Sequence, residues 1–215
     1  GDVYKRQGSA ELELGDYESA KADFDQAISM DPKNYDRLIE IYEALAAHGY
    51  REVGQEYLQN VLDTAKQLDA YDSGRIYYYL GEYQKAYLAL DEARDKGGAD
   101  SYLYLGRAYA ATGDYNYASS VYNNYLSKQG PNAEIYNELG LCEMAKKEYQ
   151  NALAAFQAGK QIEGNSLMQT LCFNEIVAYE YLEDYQQAEV LMNAYLQNYP
   201  DDQTAIREQQ FLSTR

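Results

Sequence analysis

The tripeptide Gly15-Asp16-Tyr17 returns as Gly113-Asp114-Tyr115, and with a longer acid as Gly81-Glu82-Tyr83. Weaker copies follow at Lys147-Glu148-Tyr149 and Glu183-Asp184-Tyr185, and from Tyr83 onward the tyrosines are spaced by 32, 34 and 36 residues. A period of that length constrains the fold more than any other feature. A unit so short cannot bury its own apolar face, so successive units must stack and share a core. Such an array presents an extended surface rather than a closed pocket, which points to binding as the class of function.

The cleanest unit runs from Ala99 to Asn132. Tyr102, Leu105, Gly106 and Tyr109 share one face of a first helix. Gly113 is suited to end it, because glycine takes the left-handed conformation without steric cost. Asp114 can then cap a second helix, its carboxylate meeting free N–H groups and the positive end of the helix dipole. That helix carries Ala118, Tyr122 and Tyr125 on one face, and Gly130-Pro131 closes the unit.

These residues resemble the tetratricopeptide repeat, whose pattern is aromatic-x-x-Leu-Gly-x-x-Tyr, then Ala-x-x-x-aromatic, then Pro. The first unit repeats it with Gly8, Gly15, Ala20, Phe24, Ala27 and Asp31-Pro32, and the third with Gly74, Tyr77, Gly81, Ala86, Leu90 and Ala93. Tyr136, Leu139, Gly140, Ala152 and Phe156 carry it in the fifth, and Tyr179, Ala188, Met192 and Pro200 in the sixth. The fold expected is all-α: a right-handed α-α superhelix, a solenoid of about six helix-turn-helix repeats plus a C-terminal capping helix. The period places the repeats at about 1–34, 35–66, 67–98, 99–132, 133–168 and 169–202, with the capping helix and tail over 203–215. Small residues Ala20, Ala86, Ala118, Ala152 and Ala188 fall where the second helix of each unit crosses the first at short range.

Two units depart from the pattern. In the second, Leu38, Ile41, Tyr42 and Leu45 form a sound first helix and Gly49 fits the turn. Beyond it Gly54, Leu58 and Val61 fit one register, and Tyr50, Val53 and Tyr57 another. No proline closes this unit, and residues 60–70 are expected to continue as one helix into the third. The sixth has Ile176 where a small residue is usual and Glu183 where the turn glycine is usual.

The chain has 26 tyrosines, four phenylalanines, no tryptophan and three prolines. Tyrosine therefore does the aromatic packing, leaving hydroxyls for water or neighbours, and the scarcity of proline suits a helical chain. With 18 basic against 35 acidic residues, the net charge is −17. That field repels phosphate backbones and anionic lipid, so the partners expected are basic or neutral proteins and peptides, not nucleic acid. No apolar run reaches the length of a membrane span. Cys142 and Cys172 lack metal or redox spacing and are read as small packed side chains, not a disulfide. Residues 2–7, Asp-Val-Tyr-Lys-Arg-Gln, match the translation of a transposon-end sequencing adapter. Residues 1–7 are therefore expected to be non-native or truncated, with the solenoid over 8–202. On that reading a leader, a lipoprotein anchor or further repeats could be missing before Gly8, and a lost lipoprotein leader would place the protein at the cell surface rather than in the cytoplasm.

Catalytic chemistry has little to work with. The one imidazole, His48, sits beside the turn at Gly49, with no second histidine to assist it. The glycines are scattered singly, so no phosphate loop forms, and no stretch has the alternating acids of a calcium loop. No catalytic residue, cofactor or metal site is expected.

The resemblance implies a concave groove lined by the first helices of successive repeats, which grips an extended peptide or a partner helix. Carried onto this chain, that face selects Ile39, Glu43, Tyr71, Arg75, Tyr78 and Tyr79, then Leu103 and Arg107. It continues with Asn137, Leu141 and Met144, then Phe173, Val177 and Tyr181. Arg75 and Arg107 could anchor a carboxylate or a backbone carbonyl. The alternative is that they pair with Asp72, Asp100 or Glu43 while Tyr78 and Tyr79 pack between repeats. The Lys-and-Asn clamp with which some relatives hold a chaperone tail is not reproduced. A competing reading makes the chain part of a larger bacterial lipoprotein, receptor or regulator, serving as spacer or self-association module.

Overall fold

A left-handed residue turns the chain back on itself six times, followed by an acid at five of these turns and by Tyr50 at the sixth. The computed structural model describes residues 1–215, and it is helical throughout, without strands. The chain divides into two compact units, 1–93 and 94–215. The first holds α1 (Asp2–Glu13), α2 (Tyr17–Met30), α3 (Tyr35–Ala47), α4 (Arg51–Thr64), α5 (Ala70–Tyr79) and α6 (Tyr83–Glu92). The second holds α7 (Ala99–Ala111), α8 (Tyr115–Gln129), α9 (Ala133–Ala145), α10 (Tyr149–Lys160), α11 (Met168–Tyr181), α12 (Tyr185–Asn198) and α13 (Gln203–Leu212). Helices pair as consecutive hairpins, α13 standing alone against α12.

Gly15, Gly49, Gly81 and Gly113 have φ between 78° and 87°. At each, the next residue's N–H bonds back to the carbonyl five residues earlier, as in Asp114 N to Tyr109 O at 3.1 Å. This is the Schellman closure, which satisfies carbonyls that a helix end leaves free. Lys147 and Glu183 make the same bonds, Glu148 N to Glu143 O at 2.9 Å and Asp184 N to Tyr179 O at 3.0 Å, with φ of 64° and 61°. These two side chains therefore hold a conformation that costs a Cβ-bearing residue energy. Asp16, Asp114 and Asp184 each accept a backbone N–H three residues on. Glu82 and Glu148 stand at the same position without that bond. The tyrosine of the tripeptide links hairpins: Tyr17 stacks on Tyr50 at 4.2 Å and Tyr149 on Tyr181 at 5.0 Å between centroids.

Within a hairpin the helices cross at the small residues. Ala20, Ala86, Ala118, Ala152 and Ala188 are fully buried. Opposite them, a glycine of the first helix receives a large side chain of the second. A Cβ added to Gly8 would lie 2.7 Å from the Phe24 ring, and one on Gly106 or Gly140 would overlap Tyr122 or Phe156. The second hairpin reverses this arrangement. Tyr42 replaces the glycine, and the space for its ring comes from Gly54 at the alanine position, where a Cβ would meet it at 2.8 Å. The register with Gly54 and Leu58 inside is thus the one adopted, while Val53 and Tyr57 are half-buried. In the sixth hairpin the buried pair is Ile176 and Met192, an intermediate pair in place of glycine and aromatic.

Neighbouring hairpins complete one another's cores. Leu12, Phe24, Ile41 and Leu45 form one cluster, and Leu38, Tyr42, Leu58 and Ile76 the next. In the second unit Phe156 meets Leu171 and Ala178, and α13 covers Met192 and Tyr195 with Ala205 and Leu212. The expected continuous helix over 60–70 is not formed. α4 stops at Thr64, Ala65 is extended, and Asp69 caps a new helix by accepting from Asp72 N at 2.8 Å. The cap supplies a local start that the helix-compatible sequence Ala65-Lys66-Gln67 does not advertise.

Replacing Lys147 or Glu183 by glycine is expected to raise stability by about 1 kcal/mol each, read as the urea midpoint. No gain in either variant would show that the left-handed turn carries no strain. Ala118→Leu should lower stability by about 1–3 kcal/mol by overpacking the crossing, seen as a reduced melting temperature.

Candidate functional site

Exposure sorts the residues expected on the first-helix face. In the first unit, Ile39 is 4% exposed and belongs to the core with Leu38 and Leu58, so it offers a partner no surface. Arg75 is 7% exposed and ion-paired to Asp36 at 2.5 Å and to Asp72. Its guanidinium also lies over the Tyr71 ring, 4.3 Å from the centroid. Burial works against the charge, but the two carboxylates outweigh it and hold the proton more firmly than in water. Arg75 thus serves the interior, with Asp72 among the partners weighed above and Asp36 unforeseen. Glu43 is exposed and accepts the Tyr79 hydroxyl at 2.7 Å. Tyr78 meets Tyr79 edge to face at 5.3 Å. With Tyr42, Glu43, Arg51 and Tyr83 these rings line a cavity of about 300 Å³.

In the second unit, Leu103 is 2% exposed and likewise interior. Arg107 bonds Glu138 through Nε and Nη2 at 3.0 and 2.7 Å, and Glu134 at 2.9 Å. It is therefore ion-paired across to α9 rather than to Asp100 or Glu43. Asn137 is mostly buried, its Oδ1 accepting from Asn174 Nδ2 at 2.8 Å, which ties α9 to α11. Leu141, one turn beyond Asn137, is 43% exposed and Tyr181, two turns beyond Asn174, is 57% exposed, with Met144 and Val177 half-buried. Phe173 is half-buried and packs edge-on against Tyr195 at 5.8 Å.

His48 is exposed at the end of α3, Nδ1 lying 2.9 Å from the Ala44 carbonyl. Both cysteines are free thiols, and burial pushes the Cys142 thiol up to about 12. No group of three or more His, Cys, Asp or Glu side chains is arranged to hold a metal ion, and no helix is long and apolar enough to cross a membrane.

Sequence reasoning did not single out Glu180. It is half-buried on α11, with one carboxylate oxygen buried and unbonded. Burial first, and then the facing carboxylate of Glu208 on α13, push its pKa up to about 7. The two acids are far apart in sequence, so only the docking of the last helix reveals the pair.

These observations define a class: a repeat protein of helical hairpins whose cores are completed by neighbouring hairpins. Profiles of the tetratricopeptide repeat match residues 1–34, 71–118 and 105–165, more than half of the chain. The chain belongs to the tetratricopeptide repeat family, whose members are generally non-catalytic scaffolds for protein interaction. No curated protein matches it by sequence. Among solved structures it is similar to PilW, a type IV pilus biogenesis factor, with 18% identity, 98% of this chain and 97% of that one covered, and a TM-score of 0.68. Pseudomonas aeruginosa PilF aligns over 100% of this chain and 97% of its own at 18% identity and a TM-score of 0.58. A chain of the APC/C hetero-tetramer Cut9–Hcn1 aligns over 99% of this chain at 18% identity and a TM-score of 0.63, and this chain spans 42% of that one's length. At such identities the likeness is one of fold.

The Glu180 carboxyl makes a checkable pH dependence. Its folded pKa lies above the ordinary 4.5, so between about pH 4.5 and pH 7 the folded chain keeps a proton that the unfolded chain releases. Its contribution therefore favours folding at the acid end and is lost as pH rises through 7. Glu180→Gln is expected to flatten that part of the stability profile and to stabilise the chain above pH 7. Denaturant midpoints of parent and variant that run parallel across this range would contradict the assignment.

Proposed function

We propose that this chain is a non-catalytic scaffold that docks a peptide or helix of another protein against the first-helix face of its second unit. One observation carries the reading: Leu141 and Tyr181 keep 43% and 57% exposure on α9 and α11, the first helices of consecutive hairpins. The Asn137–Asn174 bond links these helices, and beyond it Leu141 and Met144 follow by four and seven residues on α9, Val177 and Tyr181 by three and seven on α11. Apolar side chains left in water cost solvation free energy that a bound segment recovers. The aromatic member supplies contact area at little entropic cost. Among the residues selected from sequence, Leu141, Met144, Phe173, Val177 and Tyr181 are those whose placement supports contact here. Glu43, Tyr78 and Tyr79 form a second, more polar patch on the first unit, with Tyr71 lying instead against the Arg75 guanidinium. The acid excess disfavours nucleic acid as a partner.

A random peptide library selected on the full chain tests this directly. Binders so obtained are expected to lose at least about tenfold in affinity for the Leu141→Ala/Tyr181→Ala variant, whose melting temperature should match the parent's. Selected peptides that bind both forms equally would remove this surface from consideration.

A further inference from the structure

The apolar stripe on α9 and α11 is bordered by acid. Glu134 and Glu138 lie on α9, seven and three residues before Leu141, and so flank it on nearly the same face. On α11, Glu180 follows Val177 by three residues and faces Glu208 of α13. Arg107 brings one positive charge to the Glu134–Glu138 pair. Glu180 and Glu208 have only each other: no lysine or arginine stands within ion-pair reach of either, and one Glu180 oxygen is buried without a hydrogen bond. Two carboxylates forced together at the end of an exposed apolar stripe are stabilised by a cation brought from outside.

The backbone of the surface narrows the occupant further. Every element here is a helix, whose N–H and C=O groups are already paired, so no strand edge is offered to an extended segment. A segment laid on the apolar stripe finds no main-chain ladder there, which favours one that pairs its own backbone groups, as a helix does. The charge of −17 adds a long-range preference of the same sign, speeding encounter with cationic partners and repelling acidic ones.

We infer that the docked segment is an amphipathic helix of another protein, its apolar face on Leu141, Met144, Val177 and Tyr181 and its lysines or arginines beside Glu134, Glu138, Glu180 and Glu208. This rests on the docking surface proposed above and names the chemistry of what it receives.

The test uses the full chain and two labelled synthetic helical peptides with identical leucine positions, one with lysine and one with glutamate at the polar positions, read by fluorescence anisotropy. The lysine peptide is expected to bind at least about tenfold more tightly, and to weaken several-fold as salt rises from about 0.05 to about 0.5 M, because salt screens exposed charge pairs. Glu138→Gln/Glu180→Gln/Glu208→Gln should erase most of that preference, with Glu180→Gln/Glu208→Gln as the milder variant if the triple one folds poorly. Leu141→Ala/Tyr181→Ala should weaken the lysine peptide whatever the salt. If both peptides bind equally and the apolar variant weakens both, the docking surface stands and the basic partner class is wrong. If the apolar variant changes nothing, the surface itself is wrong. A lysine peptide insensitive to the glutamine changes would mean diffuse attraction to the acidic chain and overturn the site. Concentration-dependent dimers abolished by Leu141→Ala/Tyr181→Ala would make a second copy the occupant and overturn it equally.

Discussion

Each hairpin depends on how closely its two helices can approach. A fully buried alanine on the second helix and a glycine on the first leave space for one large side chain, so Phe24, Tyr122 and Phe156 each press against glycine backbone. Close packing of this kind is unforgiving of added volume, since protein interiors have few voids to absorb it. The second and sixth hairpins show the rule through its exceptions. Tyr42 fits because Gly54 faces it, and Ile176 fits because Met192, flexible and unbranched, replaces an aromatic ring. At both sites a small or flexible partner makes room for the bulkier residue.

From that constraint follows the division of labour between faces. A hairpin closed so tightly has used one face of each helix internally, and the neighbouring hairpin covers another. The clusters around Leu12 to Leu45 and around Met192 to Leu212 each draw residues from more than one hairpin or helix pair. On the first helices only a narrow strip is left, and side chains there are either absorbed, as Ile39 and Leu103 are, or exposed, as Leu141 and Tyr181 are. Position on a helix wheel does not separate the two cases, because the neighbouring hairpin decides how far it covers the strip.

Charge behaves similarly. The arginines that stand at matched positions in sequence meet different carboxylates: Arg75 is enclosed between Asp36 and Asp72, while Arg107 reaches across to Glu134 and Glu138. In a chain with about twice as many acids as bases, a cation close to the interior finds an internal partner. The electrostatic character left to the surface is therefore acidic, and the facing Glu180 and Glu208 carboxyls add to it.

The turns, the caps and the crossing alanines were legible in the sequence because each obeys a local rule: φ above zero favours glycine, free N–H groups favour aspartate, and a tight crossing favours alanine. The family resemblance followed from their spacing. Three things were not legible. The break at residues 65–69 depends on Asp69 capping α5 within a stretch otherwise fit for helix. The register of the second hairpin turns on Tyr42 finding the space above Gly54. The exposure of the apolar strip on α9 and α11, and the meeting of Glu180 with Glu208, depend on which neighbour packs where. Local sequence, through backbone strain and helix-end hydrogen bonding, determined that this chain is a series of hairpins. Only the tertiary structure, through volume shared between residues distant in the chain, decided which side chains remain free to touch another molecule.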